Sequence, residues 1–176
     1  LRVHSIISAL DVPPDSVLKQ ASPHGDTMVA AGVAEGAAWV ITDFHIHDGF
    51  SRYLLLDDGL TPRQAGRMVQ RLVEIETYRV MALLAFPVAK EVGRLLSRAE
   101  DELADLMDSL GQARSSDDDR TVLGRLTRLA AEVERSLART TFRFGAAAAY
   151  YRLVQQRIDD MREVRLGGFP SFREFM

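Results

Sequence analysis

Asp43, His45 and His47 stand at every second position of one segment in which they alternate with Phe44 and Ile46. On an extended strand, side chains two apart point to the same face. Two imidazoles and a carboxylate on one face are ligand types for Zn²⁺ or a similar divalent cation. A fourth ligand has no obvious origin in the sequence, since Asp26 or Asp48 would arrive only by accident of folding. A solvated strand face is the competing reading, because a run of ligand types does not by itself define a coordination geometry.

A second cluster comprises Glu74, Glu76, Tyr78 and Arg79. On a helix, Glu76 and Arg79 are neighbours at i,i+3, and Glu74 and Tyr78 at i,i+4. Four polar groups interrupt an otherwise apolar stretch, and buried polar groups need partners. This predicts a polar network where the helix meets the sheet or a second helix, with Arg79 bonded to an acid or a backbone carbonyl. A structural ion network outweighs a catalytic acid at such a place. Arg143, between Phe142 and Phe144, reads as helix packing with a snorkelling guanidinium. The sequence has no phosphate-binding glycine loop, no Gly-x-Ser-x-Gly and no His-Glu-x-x-His. No catalytic or cofactor-binding residue is therefore expected.

Positioning these residues falls to two kinds of element. Met28–Val33, Ala37–His45 and Phe50–Leu56 read as strands, separated by Gly36 and by the Asp48–Gly49 pair, a hairpin signal. Val3–Leu10 reads as a further strand, Pro13 to Gln20 as a short helix and Ser22 to Asp26 as an exposed loop. From Thr61 onward the period lengthens. Thr61, Pro62 and Gln64 form a helix start, and an apolar line runs through Met68, Leu72, Ile75, Leu83 and Phe86, with Arg79 as its odd member. A kink is expected at Pro87. The line resumes at Val92, Leu95, Ala99, Glu102 or Leu103, Leu106 and Leu110, and Gly111 ends it. After an acidic turn at Ser115–Arg120, Val122, Leu126, Leu129, Val133, Leu137, Phe144 and onward to Met161 recur every three or four residues, with Thr140 or Thr141 filling one gap. That is the period of a coiled-coil seam. A helix from Thr121 to Arg165 spans roughly 65 Å, and its short connection makes the two helices antiparallel.

The expected fold class is therefore α+β: a small antiparallel β-sheet domain followed by a long antiparallel two-helix coiled-coil hairpin. Residues 1–60 form the head, 61–166 the hairpin and 167–176 a linker toward a C-terminal region outside this chain. The 176 residues are 47% hydrophobic, with a formal net charge of −3 and no cysteine. This gives no general pull toward nucleic acid and excludes disulfides and thiolate metal sites. No segment approaches the ~20 apolar residues of a membrane span.

Several blocks carry a resemblance. Ala37-Ala38-Trp39-Val40-Ile41-Thr42-Asp43-Phe44 with Asp48-Gly49-Phe50, the run from Gln70 through Glu74-Ile75-Glu76-Thr77-Tyr78-Arg79 to Leu83, and Phe142-Arg143-Phe144-Gly145-Ala146-Ala147 resemble the bacterial domain-of-unknown-function 3422 family. The resemblance covers nearly the whole chain. It implies the soluble portion of a membrane-anchored protein, tethered through a hydrophobic C-terminal region that this chain does not reach, on the cytoplasmic side. It brings no known activity and no catalytic residues. The layout is also similar to that of CorA-type magnesium channels, in organisation only.

Three functions of different classes follow. The first is a structural or interaction module that forms a homo-oligomer through the helical hairpin. The second is the soluble domain of an ion channel or transporter of CorA-like layout. The third is a metal-dependent enzyme that uses a divalent metal at Asp43, His45 and His47. The oligomer reading rests on length: a sixty-residue head cannot cover two such helices, so part of Ala146–Tyr151, with Phe142 and Phe144, stays exposed.

Overall fold

The computed structural model of the chain describes residues 2–9 and 28–176. The expected helix from Pro13 to Gln20 and the loop at Ser22–Asp26 lie outside the described residues. The chain divides into two compact units, one of Leu1–Val80 with Tyr150–Met176 and one of Met81–Ala149. The division does not fall at residue 60. The first nineteen residues of the helix that follows, 62–80, and the last part of the chain belong with the sheet.

The first unit is built on a six-stranded sheet of β1 (Arg2–Ala9), β2 (Val29–Val33), β3 (Ala38–Thr42), β4 (Ile46–His47), β5 (Phe50–Asp57) and β6 (Val164–Arg165). Their order in space is β1-β5-β3-β2-β6, with β4 also on β5. The sheet is mostly antiparallel, as expected, but β1 runs parallel to β5, with Arg2 opposite Phe50 and Ala9 opposite Asp57. The Asp48–Gly49 turn joins β4 to β5 with both residues in the left-handed region (φ 52° and 83°), the geometry a two-residue hairpin needs.

Helix α1 (Pro62–Leu83) begins at the expected cap: the Thr61 amide donates to Gln64 Oε1 at 2.9 Å, and the Gln64 amide donates to Thr61 Oγ1 at 3.3 Å. Its Met68, Leu72 and Ile75 are buried against one face of the sheet, with Val40, Tyr53 and Leu55. Val154 and Ile158, from the end of α3 (Ser116–Asp160), and Met161, just beyond it, share that core. The other face of the sheet buries Met28, Ala30, Ile41 and Leu56 beneath Trp39, Leu166 and Phe169. Gly32 lets Trp39 lie close: a Cβ there would stand 3.2 Å from the indole ring and 3.3 Å from Val164.

The expected linker at 167–176 is instead part of the unit. Phe172 is fully buried and opens a short helix, α4 (Phe172–Phe175), capped by Ser171 and Glu174. The Ala30 amide donates to the Pro170 carbonyl at 3.2 Å. Apolar side chains bound this tail to the core, which a count of polar and aromatic residues in so short a segment does not reveal.

In the second unit, helix α1 ends at Leu83 and α2 (Phe86–Gln112) starts with Pro87 in its first turn. The proline thus divides the expected first helix into two helices instead of kinking one. A proline lacks the amide that a helix interior needs but tolerates a first turn. The start of α3 is capped by Ser115, which accepts from the Asp118 amide at 3.2 Å, while Asp118 accepts from the amides of Arg114 and Ser115.

α2 and the part of α3 up to Ala149 run antiparallel. Arg125 lies 3.8 Å from Glu102, and residues 88–98 share a cavity of about 370 Å³ with residues 132–143. Leu106, Leu129 and Thr140 are buried between them. Leu126 and Leu137 are not: they are 42% and 58% exposed. Their place in the line is taken by Arg125 and Ser136, one residue earlier, because leucines stand on both sides of that register and periodicity cannot choose between them. Phe142 is 84% exposed, Tyr151 46% exposed and Phe144 half-buried, so the expected exposure is met at Phe142 and Tyr151, and the expected aromatic packing holds only for Phe144.

Candidate functional site

The best-built polar site centres on Glu76, whose side chain is wholly removed from solvent. α1 carries Glu76 on the same face as Leu72 and Ile75, pointing at β5. β5 answers with Ser51 and Tyr53, two residues apart and so on one face of the strand. Ser51 Oγ donates to Glu76 Oε1 at 2.5 Å, and Tyr53 Oη donates to Oε2 at 2.9 Å. One turn along α1, Arg79 completes the shell: Nε donates to Oε2 and Nη2 to Oε1, each at 2.9 Å. Nη2 also donates to the Phe44 carbonyl at 3.2 Å, and the guanidinium lies 5.1 Å over the Phe44 ring.

Phe44 is held for this by a left-handed backbone (φ 55°). Thr42 Oγ1 accepts from the Phe44 amide at 3.2 Å and donates to the Arg52 carbonyl at 2.8 Å. The Phe44 ring stacks on Phe175 at 4.9 Å and meets Tyr53 and Phe172 edge-on.

Burial acts to raise the Glu76 carboxyl, but the Arg79 N–H groups, then Ser51, the Arg79 charge and Tyr53, outweigh it and hold the group below its ordinary value of 4.5. Burial, reinforced by the Glu76 charge, pushes the Tyr53 phenol far above its ordinary value, so it remains a donor. Both carboxylate oxygens carry two donors each. The ion is fully bonded, and its bonds fasten α1 to β5.

The expected cluster of Glu74, Glu76, Tyr78 and Arg79 is therefore divided. Glu76 and Arg79 are brought together in the interior, and Arg79 bonds both an acid and a carbonyl. Glu74 faces α3 instead, accepting from Arg157 and, at 2.8 Å, from Gln70. Arg157 also donates to Asp160 at 2.9 Å. Tyr78 stacks on Tyr150 with ring centroids 6.2 Å apart. Ser51, Tyr53 and the Phe44 carbonyl were not identified from the sequence. Their signal is faint but present: two hydroxyl residues at alternate positions on the buried face of a strand must find an acceptor.

Asp43, His45 and His47 do not share one strand face. β3 stops at Thr42, the left-handed Phe44 breaks the alternation, and His47 belongs to β4. His47 Nε2 and Asp43 Oδ2 are 2.6 Å apart, and Asp43 Oδ1 accepts from the His45 amide at 3.0 Å. Burial would raise the Asp43 carboxyl, but these bonds hold it below its ordinary value of 3.8. The His45 ring is tilted, 6.3 Å from that of His47. Among the described residues, no three His, Cys, Asp or Glu are grouped so as to hold a metal ion. Asp26, one suggested fourth ligand, lies outside the described residues.

Fold and site together define an α+β protein whose most completely built polar centre is a buried carboxylate–guanidinium keystone. The chain belongs to the family described as "Protein of unknown function (DUF3422)", which it matches over residues 7–176. No curated protein and no solved structure matches it. Among the described residues, no helix is long and apolar enough to cross a membrane.

Proposed function

We propose that this protein is a structural assembly module, in which α2 and α3 pack as a coiled-coil hairpin and join a second copy through one apolar face. One observation carries the reading: Leu96, Leu103, Met107, Leu110, Leu123, Leu126 and Leu137 are each at least 42% exposed.

Their spacing supports a common face. On α2, the residues turned toward α3 include Leu95, Glu102 and Leu106, and the exposed line Leu96, Leu103, Met107 stands one residue later. On α3 the inward residues include Val122, Arg125 and Ser136, and Leu123, Leu126 and Leu137 again stand one residue later. One residue is a rotation of about 100°. In an antiparallel pair, that rotation turns both helices toward the same side. Glu91, Arg98, Glu132 and Arg139, each one position before a further inward residue (Val92, Ala99, Val133 and Thr140), line a single cavity together, as this geometry requires for the opposite side. The hairpin thus has a leucine side and a charged side.

A layer of two helices, about 40 Å long over α2 and about 20 Å wide, presents roughly 800 Å². That is one partner's share of a standard protein interface. The heptad step Leu96–Leu103–Leu110 suits a helical partner with the same repeat, and a second copy supplies it, giving a four-helix bundle with twofold symmetry. The family resemblance adds a membrane tether for the module on the cytoplasmic side, which fractionation of cells making the full-length protein tests.

Sedimentation over a range of concentrations tests the assembly. The expected result is a reversible dimer, weakened at least about tenfold by Leu103→Glu or Leu126→Glu, since each variant buries an unpaired charge. A monomer at high concentration, or variants that dimerise as the parent does, contradicts the reading.

A further inference from the structure

The first unit holds a second polar feature that the Glu76 keystone does not use. A cleft of about 200 Å³ opens beside the start of α1, lined by Gln64, Arg67 and Arg71 on one side and by Glu35, Asp160 and Arg162 on the other. Its two acids already have partners: Arg162 donates to Glu35 at 2.5 Å, and Asp160 accepts from Arg157 at 2.9 Å. Among the described residues, neither Arg67 nor Arg71 forms a salt bridge. Arg71 acts through space on Glu74, but Glu74 already accepts from Gln70 and Arg157. Among the described residues, two guanidinium groups on successive turns of one helix are therefore left without a counter-ion in the cleft.

That placement works against the helix. Like charges at i,i+4 repel. α1 nonetheless carries Arg63, Arg67 and Arg71 in its first half and no acid in its first turn. The facing wall is also built at a cost: Ala34, Glu35 and Arg162 all have left-handed backbones, with φ of 53°, 63° and 50°. Of the five such non-glycine residues described, three line this cleft. The Ala34 amide donates to the Met161 carbonyl at 2.9 Å, which ties the two strained segments together. Local rules broken from independent directions at one place mark a site kept for something other than stability.

We propose that the cleft formed by Arg67, Arg71 and Arg162 binds the phosphate group of a small phosphate-bearing anion. Guanidinium forks match phosphate oxygens in pairs, and an anion between Arg67 and Arg71 relieves their repulsion. The volume suits a phosphate group with a small substituent and is below that of the pockets that enclose larger ligands. Glu35 sits as a counterweight, because it holds Arg162 while the cleft is empty and must yield it when an anion enters.

Calorimetric titration of the 176-residue chain with inorganic phosphate in low-salt buffer tests this. The expected result is saturable binding that weakens with added salt. Arg67→Gln and Arg71→Gln should each weaken it about tenfold or more, the loss that goes with a charged hydrogen bond. Arg63→Gln, on the same helix but outside the cleft, should change it less than about twofold, and Glu35→Gln should strengthen it by freeing Arg162. Circular dichroism of each variant shows whether it folds, and the Glu35→Gln gain cannot come from misfolding. Co-sedimentation with phosphatidylcholine vesicles containing phosphatidic acid separates the sources. Arginine-dependent co-sedimentation assigns the phosphate to a lipid headgroup, and phosphate binding without it assigns a soluble phosphate ester. No saturable binding, or binding that Arg67→Gln and Arg71→Gln leave intact, or an equal loss in Arg63→Gln, overturns the proposal.

Discussion

Replacing Glu76 by alanine is expected to destabilise the sheet-bearing unit by about 3–5 kcal/mol, the cost of removing one member of a buried ion pair. The change would leave the Arg79 guanidinium without its carboxylate, and the Ser51 and Tyr53 hydroxyls without an acceptor. Against a total stability of about 5–15 kcal/mol for a domain, that is enough to unfold a large fraction of the protein at ordinary temperature. Glu76→Gln keeps the shape but puts an amide N–H₂ among donors, so it should also destabilise, by less. Chemical denaturation of the three proteins measures the order.

The pH dependence has a definite sign. Glu76 is held below its ordinary value of 4.5 in the folded protein, so the stability it contributes is complete above that value. It is lost as pH falls through the lower, folded-state value. Between about pH 7 and pH 3 the parent should therefore lose stability that Glu76→Gln has already forfeited, and the two denaturation midpoints should converge in acid. Equal separation at both pH values would show that the carboxylate is not the stabilising form.

Ile158→Ala is expected to cost about 2–5 kcal/mol, as for a large aliphatic side chain removed from a core that cannot collapse around the gap. Ile158 is 1% exposed and lies among Leu72, Ile75, Val154 and Met161. Leu137→Ala, at an equally regular position of the same helix, should cost the isolated chain less than about 0.5 kcal/mol, because Leu137 is already in contact with water. Thermal unfolding at low concentration, where assembly does not contribute, measures the difference. Equal losses at the two sites would place the core of α3 elsewhere.

The contrast between these two residues shows how much of the fold the sequence carries. Period two before residue 57, the Asp48–Gly49 turn and the Thr61–Gln64 cap are local signals, and apart from the alternation at Asp43–His47 each is realised where it stands. The apolar lines of α1 and α2 are nearly as legible, because Met68, Leu72 and Ile75 recur at steps of four and three, with Arg67, Gln70, Arg71, Glu74 and Glu76 between and beside them. α3 is harder. It has leucines at 123, 126, 129 and 137, and two registers one residue apart satisfy the same period. Only the facing helix chooses between them, and it chooses Arg125 and Ser136 over Leu126 and Leu137.

The candidate site divides in the same way. Glu76 with Arg79 is readable as an i,i+3 pair in an apolar stretch. Its partners on β5 depend on strand-to-helix packing, which spacing along the chain does not encode. The Asp43–His47 segment misled because a single left-handed residue, Phe44, ends the strand, and phenylalanine gives no warning of that conformation. The parallel pairing of β1 with β5 is equally non-local.

Assembly through the leucine side of the hairpin is tested most directly by chemical protection. The chain has no cysteine, so a single Leu103→Cys variant reports one side of α2, and Arg98→Cys reports the other. Maleimide labelling rates are measured as protein concentration rises. The account predicts that labelling at position 103 slows with concentration as copies pair, while labelling at position 98 keeps its rate. Rates at both positions that do not change with concentration, or that fall together, would contradict it.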